Sequence, residues 1–340
     1  MIRLKDIAER VDVSVMTVSR VMRDTPNIAP ATRRRVLRVA RELGYVPDAA
    51  ARGLRLQNTH LLGLVLPALG DPAWAAIASA LEAVWAPSGY DLAMACSHQD
   101  EESEEARIAR LMGRRVEGLF VAPLARAQKI GGVYRQLREQ GIRVVVLGPR
   151  PEHLGGFPAV TVNDRAGMAL AVAHLLGLGH QRIAFLAGPE YSSLAGPRLE
   201  GYRAALASRQ IPVREELIVP AGATVEDGAV AARRLLERKV EFTAIMAFSD
   251  PLAVGALREL TAAGLEVPRQ ISILGYANHP CSEFSSRPLS TVDTDIEAQA
   301  RAAARVMSDL IAGERGRDQR VEPRLICRDS CAPVRPATAS

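Results

Sequence analysis

The apolar positions between Leu4 and Met22 fall into two short helical sets separated by a turn. Ile7 and Val11 lie four apart on one face of a first helix, and Val18, Val21 and Met22 repeat helical spacing in a second. Asp12, Val13 and Ser14 between them are enough to fold the second helix across the first. The Ser14 hydroxyl is placed to accept from an otherwise unpaired N–H at the start of that helix. Val15, Met16, Thr17, Ser19 and Arg20 are left facing outward, the pattern of a helix-turn-helix whose second helix enters a DNA major groove. A third helix is predicted over 30–43, with Val36, Val39, Ala40 and Leu43 at core spacing, and a short one follows Asp48, which can cap it.

From Leu61 the pattern changes. Apolar runs of strand length recur at 61–66, 91–96, 118–122, 143–147, 160–162, 183–187, 217–219, 244–248 and 271–275. Nearly every gap carries a helical pattern, among them 73–85, 101–112, 167–176, 199–208, 225–238 and 252–263. Continuous apolar strands alternating with helices predict parallel sheets covered on both faces, an α/β body behind a helical head.

Charge separates the two parts. Residues 1–60 hold twelve Lys/Arg against six Asp/Glu, a net +6, whereas the whole chain carries +5, so residues 61–340 net −1. A basic balance confined to a compact helical head fits a polyanion. At 340 residues the chain exceeds one ordinary core, so two or three domains are expected. No apolar run approaches the roughly 20 residues that span a bilayer, and the N-terminus lacks the apolar core of a signal peptide, so a cytoplasmic protein is expected. Cys96, Cys281, Cys327 and Cys331 are scattered; the last two lack a second pair or a His at metal-site spacing and are read as plain thiols. No phosphate-binding loop, dinucleotide fingerprint, nucleophile elbow or zinc-protease motif occurs, so neither an enzyme nor a cofactor is expected.

The stretches LKDIAERVDVSVMTVSRV, TRRRV and ELGYVPDAAARGL resemble the head of the LacI/GalR family of bacterial transcription regulators. Asp6, Ile7, Ala8, Val13, Ser14, Thr17–Val21, Thr32–Val36, Glu42–Tyr45, Pro47, Ala51, Arg52 and Leu54 match its pattern. Departures are Asp12 for the turn glycine, Ala29 for a serine cap, Arg23 for a common Asn, and Asp48 for the Asn that usually begins the hinge helix. Further on, the family order continues through Gly179-His180, Arg182-Ile183-Ala184, Gly188-Pro189, Arg198, Gly201-Tyr202, Phe248, Asp250, Gly275-Tyr276 and Pro288–Val292.

The resemblance covers about residues 1–331. It implies a DNA-binding head at 1–46, a hinge helix and linker at 47–60, and an effector-binding, dimerising body at 61–331. That body resembles periplasmic sugar-binding proteins, with two doubly wound α/β subdomains, one of about 61–161 and 292–320, the other of about 162–291 and 321–331. The tail at 332–340 has no leucine heptads, so no tetramerising helix is expected.

Ligands of open α/β sheets bind beyond the carboxyl ends of strands. By resemblance, Arg198 and Asp250 occupy positions that grip effector hydroxyls, and Trp74 an aromatic position of the cleft. Tyr276 and Asn163 join the candidates, although Asn163 and Asp164 reverse the family's usual order. Other roles stay open: Asp250 also stands where it would cap the helix over 252–263, Arg198 where it would form a surface ion pair, and Trp74 where it would enter a core. Arg150 and Arg165 lie near the rim, either meeting an anionic group or simply solvated, and His180 is expected to stabilise a turn.

The resemblance implies a homodimeric repressor whose hold on a pseudo-palindromic operator is controlled by a sugar, sugar acid or sugar phosphate. In the head, Arg20 is the expected base contact, Val15 and Met16 either read thymine methyls or set the shape of the contact, and Ser14, Thr17, Ser19 and Asn27 contact phosphates or sugars. In the hinge, Ala51 is small enough for two helices to approach, and Leu54 matches the family's minor-groove wedge. A solute-binding protein without DNA binding is the alternative; it would share the body but leave the basic head without a role.

Overall fold

Asp12 determines how the head closes. Its backbone is left-handed (φ 55°, ψ 58°), which the family glycine would adopt freely and which Asp tolerates better than most residues. The computed structural model describes residues 2–22, 25–45, 59–124 and 132–334. In it the helices α1 (Leu4–Val11), α2 (Val15–Met22) and α3 (Pro30–Glu42) enclose Ile7, Val11, Val18, Val21, Val36 and Val39. The Ser14 hydroxyl accepts from the Thr17 N–H at 3.1 Å and so caps α2. Ala29 provides no side-chain cap for α3, whose start relies on Pro30. Two arginines of α3 tie the bundle together: Arg33 donates to the Thr25 carbonyl at 2.7 Å and Arg35 to that of Val11 at 2.5 Å. The hinge candidates Ala51 and Leu54, with Asp48, lie outside the described residues.

Head and body are separate units, dividing at Thr59 and His60. The body contains two sheets of six strands each. The first takes β1 (Leu61–Leu66), β2 (Asp91–Cys96), β3 (Gly118–Val121), β4 (Arg143–Leu147) and β5 (Ala159–Val162). The second takes β6 (Ile183–Ala187), β7 (Ile218–Pro220), β8 (Ala244–Ala247), β9 (Ser272–Tyr276) and β10 (Ser290–Asp293). Two late strands then close the sheets: β11 (Gln319–Val321) pairs parallel with β5, and β12 (Arg324–Ile326) pairs antiparallel with β10. The chain therefore crosses between sheets after Val162, after Asp293, and between Val321 and Arg324.

Helices cover both faces of each sheet. On the first these are α4 (Pro72–Trp85), α5 (Glu101–Gly113) and α6 (Gly132–Glu139). On the second they are α7 (Asp164–Gly177), α8 (Ala195–Ser208), α9 (Val225–Glu237), α10 (Asp250–Ala262) and the single turn α11 (Pro280–Glu283). The last helix, α12 (Ile296–Ile311), returns to the first sheet and packs on α4 and β4. Because of this two-sided cover, β1, β3, β4, β6, β8 and β9 are apolar nearly throughout, each buried Leu, Ile or Phe contributing about 1.5–3 kcal/mol. His180 is a structural residue: its ring is buried and bonded to the Thr243 and Ser272 hydroxyls at 2.9 and 3.0 Å.

Candidate functional site

Both sheets share one strand order, with β1 between β2 and β3 and β6 between β7 and β8. At such a switch point the crossovers leave in opposite directions and open a crevice beyond the strand ends. The crevices of the two sheets meet in one cleft with two adjoining chambers, an inner one against the segments that cross between the sheets and an outer one away from them. Asp71, Trp74, Ser192 and Phe248 line both.

Arg198, on the first turn of α8, is the polar centre of the inner chamber. It is 5% exposed, with Nε donating to Asp164 Oδ1 at 2.8 Å and Nη1 to the Phe248 carbonyl at 2.7 Å. Its guanidinium carbon lies 4.0 Å from the centroid of the Tyr276 ring and 4.4 Å from that of Phe248, a cation held between two aromatic faces. Phe248 reaches this position because residue 188 is glycine; a Cβ there would sit 2.5 Å from the ring. Asp164, only 4% exposed, opens α7 immediately after the chain has crossed between sheets. Beside this group lie Ser249 and His279, at the carboxyl ends of β8 and β9. The Ser249 hydroxyl is buried without a hydrogen-bond partner among the described residues. Burial pulls His279 below the usual histidine range, against the opposing pull of Asp71. Across the chamber, Asp71 caps α4 by accepting from the Ala73 N–H at 2.9 Å.

The sequence candidates divide on this geometry. Arg198 and Trp74 line the cleft. Asp250 stands behind its wall: fully buried, it accepts from the His279 N–H at 2.7 Å and from the Thr291 hydroxyl at 2.6 Å. Tyr276 is likewise fully buried, one layer behind the cleft and stacked under Arg198. Asn163 caps α7 and donates to Glu322 at 3.1 Å, joining two crossing segments outside the chambers. Arg150 is engaged elsewhere, in a fork on Asp318 at 2.7 and 2.9 Å with a further bond to the Phe157 carbonyl. Arg165 is exposed and also outside the chambers. In place of these, the chambers bring forward Asp71, Asp164, Ser249 and His279. Ser249 and His279 follow β8 and β9, Asp164 follows the crossing after β5, and Asp71 ends the loop between β1 and α4.

Asp250 gives a pH test of this arrangement. Burial pushes its carboxyl up to about 7 from the ordinary 3.8, against the opposing pull of the bonds from Thr291 and His279. An acid raised in this way stabilises the fold fully below its ordinary value, and that contribution is lost as pH rises through the folded value. Asp250→Asn removes the titration. Wild type should therefore lose stability relative to Asp250→Asn between about pH 4 and about pH 7, followed by urea unfolding across that window. A gap independent of pH would contradict the buried carboxyl.

In the head, the outer face of α2 carries Val15 and Met16, 44% and 57% exposed, with Arg20 exposed beside them. The Ser14 and Thr17 hydroxyls lie 2.8 Å apart at the start of α2, Ser19 is half-buried, and Asn27 is exposed on a left-handed turn (φ 70°).

The sequence matches two family models: residues 3–48 that of bacterial regulatory proteins of the lacI family, and residues 172–331 that of periplasmic binding protein-like domains. The HTH-type transcriptional regulator MalR of Streptomyces coelicolor is 32% identical over 317 residues, 92% of this chain and 90% of that protein. A lac repressor dimer, solved bound to operator and the anti-inducer ONPF, aligns with a TM-score of 0.85 at 25% identity, over 97% of this chain and 99% of that one. A complex of the regulator CelR with cellobiose aligns at 0.71 and 29%, over 97% and 100%. The chain belongs to the lacI family of bacterial regulatory proteins, and so is a DNA-binding transcription regulator with a periplasmic-binding-protein-like body.

Proposed function

We propose that this chain is a homodimeric repressor that reads a pseudo-palindromic operator through Arg20, Val15 and Met16 and is controlled by a neutral sugar bound in the cleft. Two apolar side chains left in water beside an exposed arginine suit a major groove, where thymine methyls and guanine edges would cover them. Ser14, Thr17, Ser19 and Asn27 would then position the head on phosphates. Ala51 and Leu54 belong to the same proposal as hinge contacts in the minor groove.

The observation that carries the effector reading is the polar group around Arg198. A fixed guanidinium, a carboxylate and an unpaired buried Ser249 hydroxyl are what a ligand with several hydroxyls needs. The charges select a neutral one. Among the described lining residues the only arginine is Arg198, with Nε and Nη1 already bonded, while Asp71 and Asp164 are acidic. A sugar acid or sugar phosphate would meet carboxylates without a free cation. The likeness to a regulator solved with cellobiose supports the same class of ligand. Closure of the cleft on the sugar would shift the two subdomains relative to one another and so change operator affinity.

Ser249→Ala tests this reading. Removing an unpaired buried hydroxyl should leave ligand-free stability unchanged or slightly higher. It should weaken sugar binding about tenfold, the worth of one hydrogen bond of about 1–1.5 kcal/mol, measured by isothermal titration. Unchanged affinity would move the ligand away from β8.

A further inference from the structure

We infer that Glu117 is a positioning residue for the DNA response. It fixes the point at which the chain enters the body from the head, where the far ends of two cleft helices, α4 and α12, converge. This rests on the reading of the cleft as the effector site and assigns the route by which that site and the head communicate. The head's part of the chain ends at Thr59 and the body begins at His60. His60 has a left-handed backbone (φ 47°), a conformation that persists only where its surroundings hold it. Both of its backbone groups are held: the N–H donates to Glu117 Oε1 at 2.6 Å, and the carbonyl accepts from the Asp91 N–H at 2.8 Å.

Glu117, the residue before β3, gathers the neighbouring elements. Its Oε2 accepts from the Tyr90 hydroxyl at 3.0 Å, and the Tyr90 ring lies 4.9 Å from the His60 ring, centroid to centroid. Burial, and after it the bond to Glu117, push the Tyr90 phenol up to about 12, so it remains a donor at ordinary pH. Tyr90 also packs edge-on with Trp85, at 4.9 Å and 67°. From the other side, Arg143 donates to the Glu117 carbonyl at 3.3 Å and to the Leu310 carbonyl at 2.9 Å.

Trp85 ends α4 and Leu310 lies in the last turn of α12, and both helices begin in the cleft. Asp71 and Trp74 at the start of α4, with Ile296 and Gln299 in the first turn of α12, line the inner chamber. The two helices pack together, and α4 buries Ile77, Leu81 and Trp85 on one face. Its fourteen residues carry a displacement over about 20 Å. A shift of Asp71 or Trp74 on a ligand is then a shift of Trp85 and, through Tyr90, of the base from which the head is held. Linkage makes the effect reciprocal, so operator bound by the head should alter the cleft. Without the Glu117 carboxylate, the His60 N–H and the Tyr90 hydroxyl lose their common acceptor, and the entry point is untied from the helices.

The reciprocal effect gives a test that needs no effector. Trp74 and Trp85 are the chain's two tryptophans, so full-length Trp85→Phe keeps Trp74 as the single reporter, inside the cleft. Its emission should change when this parent is saturated with a duplex selected from a random library, binding being followed by anisotropy. Adding Glu117→Ala should remove most of that change while the duplex is still bound. Tyr90→Phe deletes one hydroxyl only, which guards against misfolding of Glu117→Ala, and it should reduce the change as well. Glu117→Gln keeps an acceptor for the His60 N–H and should retain most of it. An unchanged signal in both Glu117→Ala and Tyr90→Phe, a loss as complete in Glu117→Gln, or no signal in the parent with DNA bound overturns the assignment. The expected pattern in a protein that binds no sugar by calorimetry would sink the sugar reading and leave the anchor standing.

Discussion

Raising the salt from about 50 mM to about 200 mM should weaken operator binding by about 10³–10⁵, the loss that follows from neutralising 6–10 phosphates. The net charge of +6 on residues 1–60 is the cause, and a homodimer presents it twice. Arg3, Arg10, Arg34, Arg38 and Arg41 are exposed on the head and available to phosphates, besides Arg20 on α2. The log–log slope should be roughly −0.9 per phosphate neutralised, because each contact releases a condensed counterion. Arg20→Ala should act differently. Beyond lowering affinity, it should reduce discrimination between operator variants at one position by about 1–3 kcal/mol, the worth of a bidentate contact to guanine. Fluorescence anisotropy over a salt series measures both, and a flat salt response would refute the assigned role of the head.

Arg198→Lys should abolish the ligand response while sparing ligand-free DNA binding. Lysine keeps the charge but cannot present Nε and Nη together to Asp164 and the Phe248 carbonyl, nor lie flat between the rings of Phe248 and Tyr276. One ammonium cannot bridge Asp164 and the Phe248 carbonyl as the planar fork does, so the fixed donor set of the cleft is lost. Sugar affinity should fall by about 10- to 100-fold, the worth of a hydrogen bond to a charged group of about 1.5–3 kcal/mol. The head is a separate unit with its own core and should keep its hold on DNA. Titration of sugar into the variant and anisotropy on operator DNA separate the two effects. Wild-type sugar affinity in Arg198→Lys would show that the guanidinium fork is not what orders the cleft.

The fold was legible because its periods are strong. Alternating strand and helix patterns identified β1–β4, β6, β8 and β9 almost to the residue, and the helix-turn-helix spacing located α1 and α2. The helix α12 was not singled out, since alanines such as Ala300, Ala303 and Ala304 fill most of its core face and give little contrast. The short strand β11 carries Gln319 and Arg320, so it lacks the apolar run that marks a buried strand.

The cleft was legible only coarsely. The rule that ligands sit beyond carboxyl strand ends directs attention past the predicted strands 244–248 and 271–275, where Ser249 and His279 lie. It could not tell which neighbour faces the cleft. Asp250 begins α10 and turns toward β9 and β10, where it holds the His279 backbone and Thr291, while Ser249 one residue earlier faces the ligand chamber. Arg150 looked like a rim arginine because its counterion, Asp318, lies 168 residues away and reaches it only once β11 pairs with β5. Asp164 and Arg198 are 34 residues apart, and nothing local in either stretch announces that they form a buried pair.

Selection from a random duplex library, followed by anisotropy with and without the tightest-binding neutral sugar, tests the central claim most directly. The account predicts enrichment of a pseudo-palindrome with half-sites about one helical turn apart, whose affinity for the protein changes when the sugar is added and does not change in Arg198→Lys. Enrichment of no symmetric sequence, or an affinity that the bound sugar leaves untouched, would contradict it.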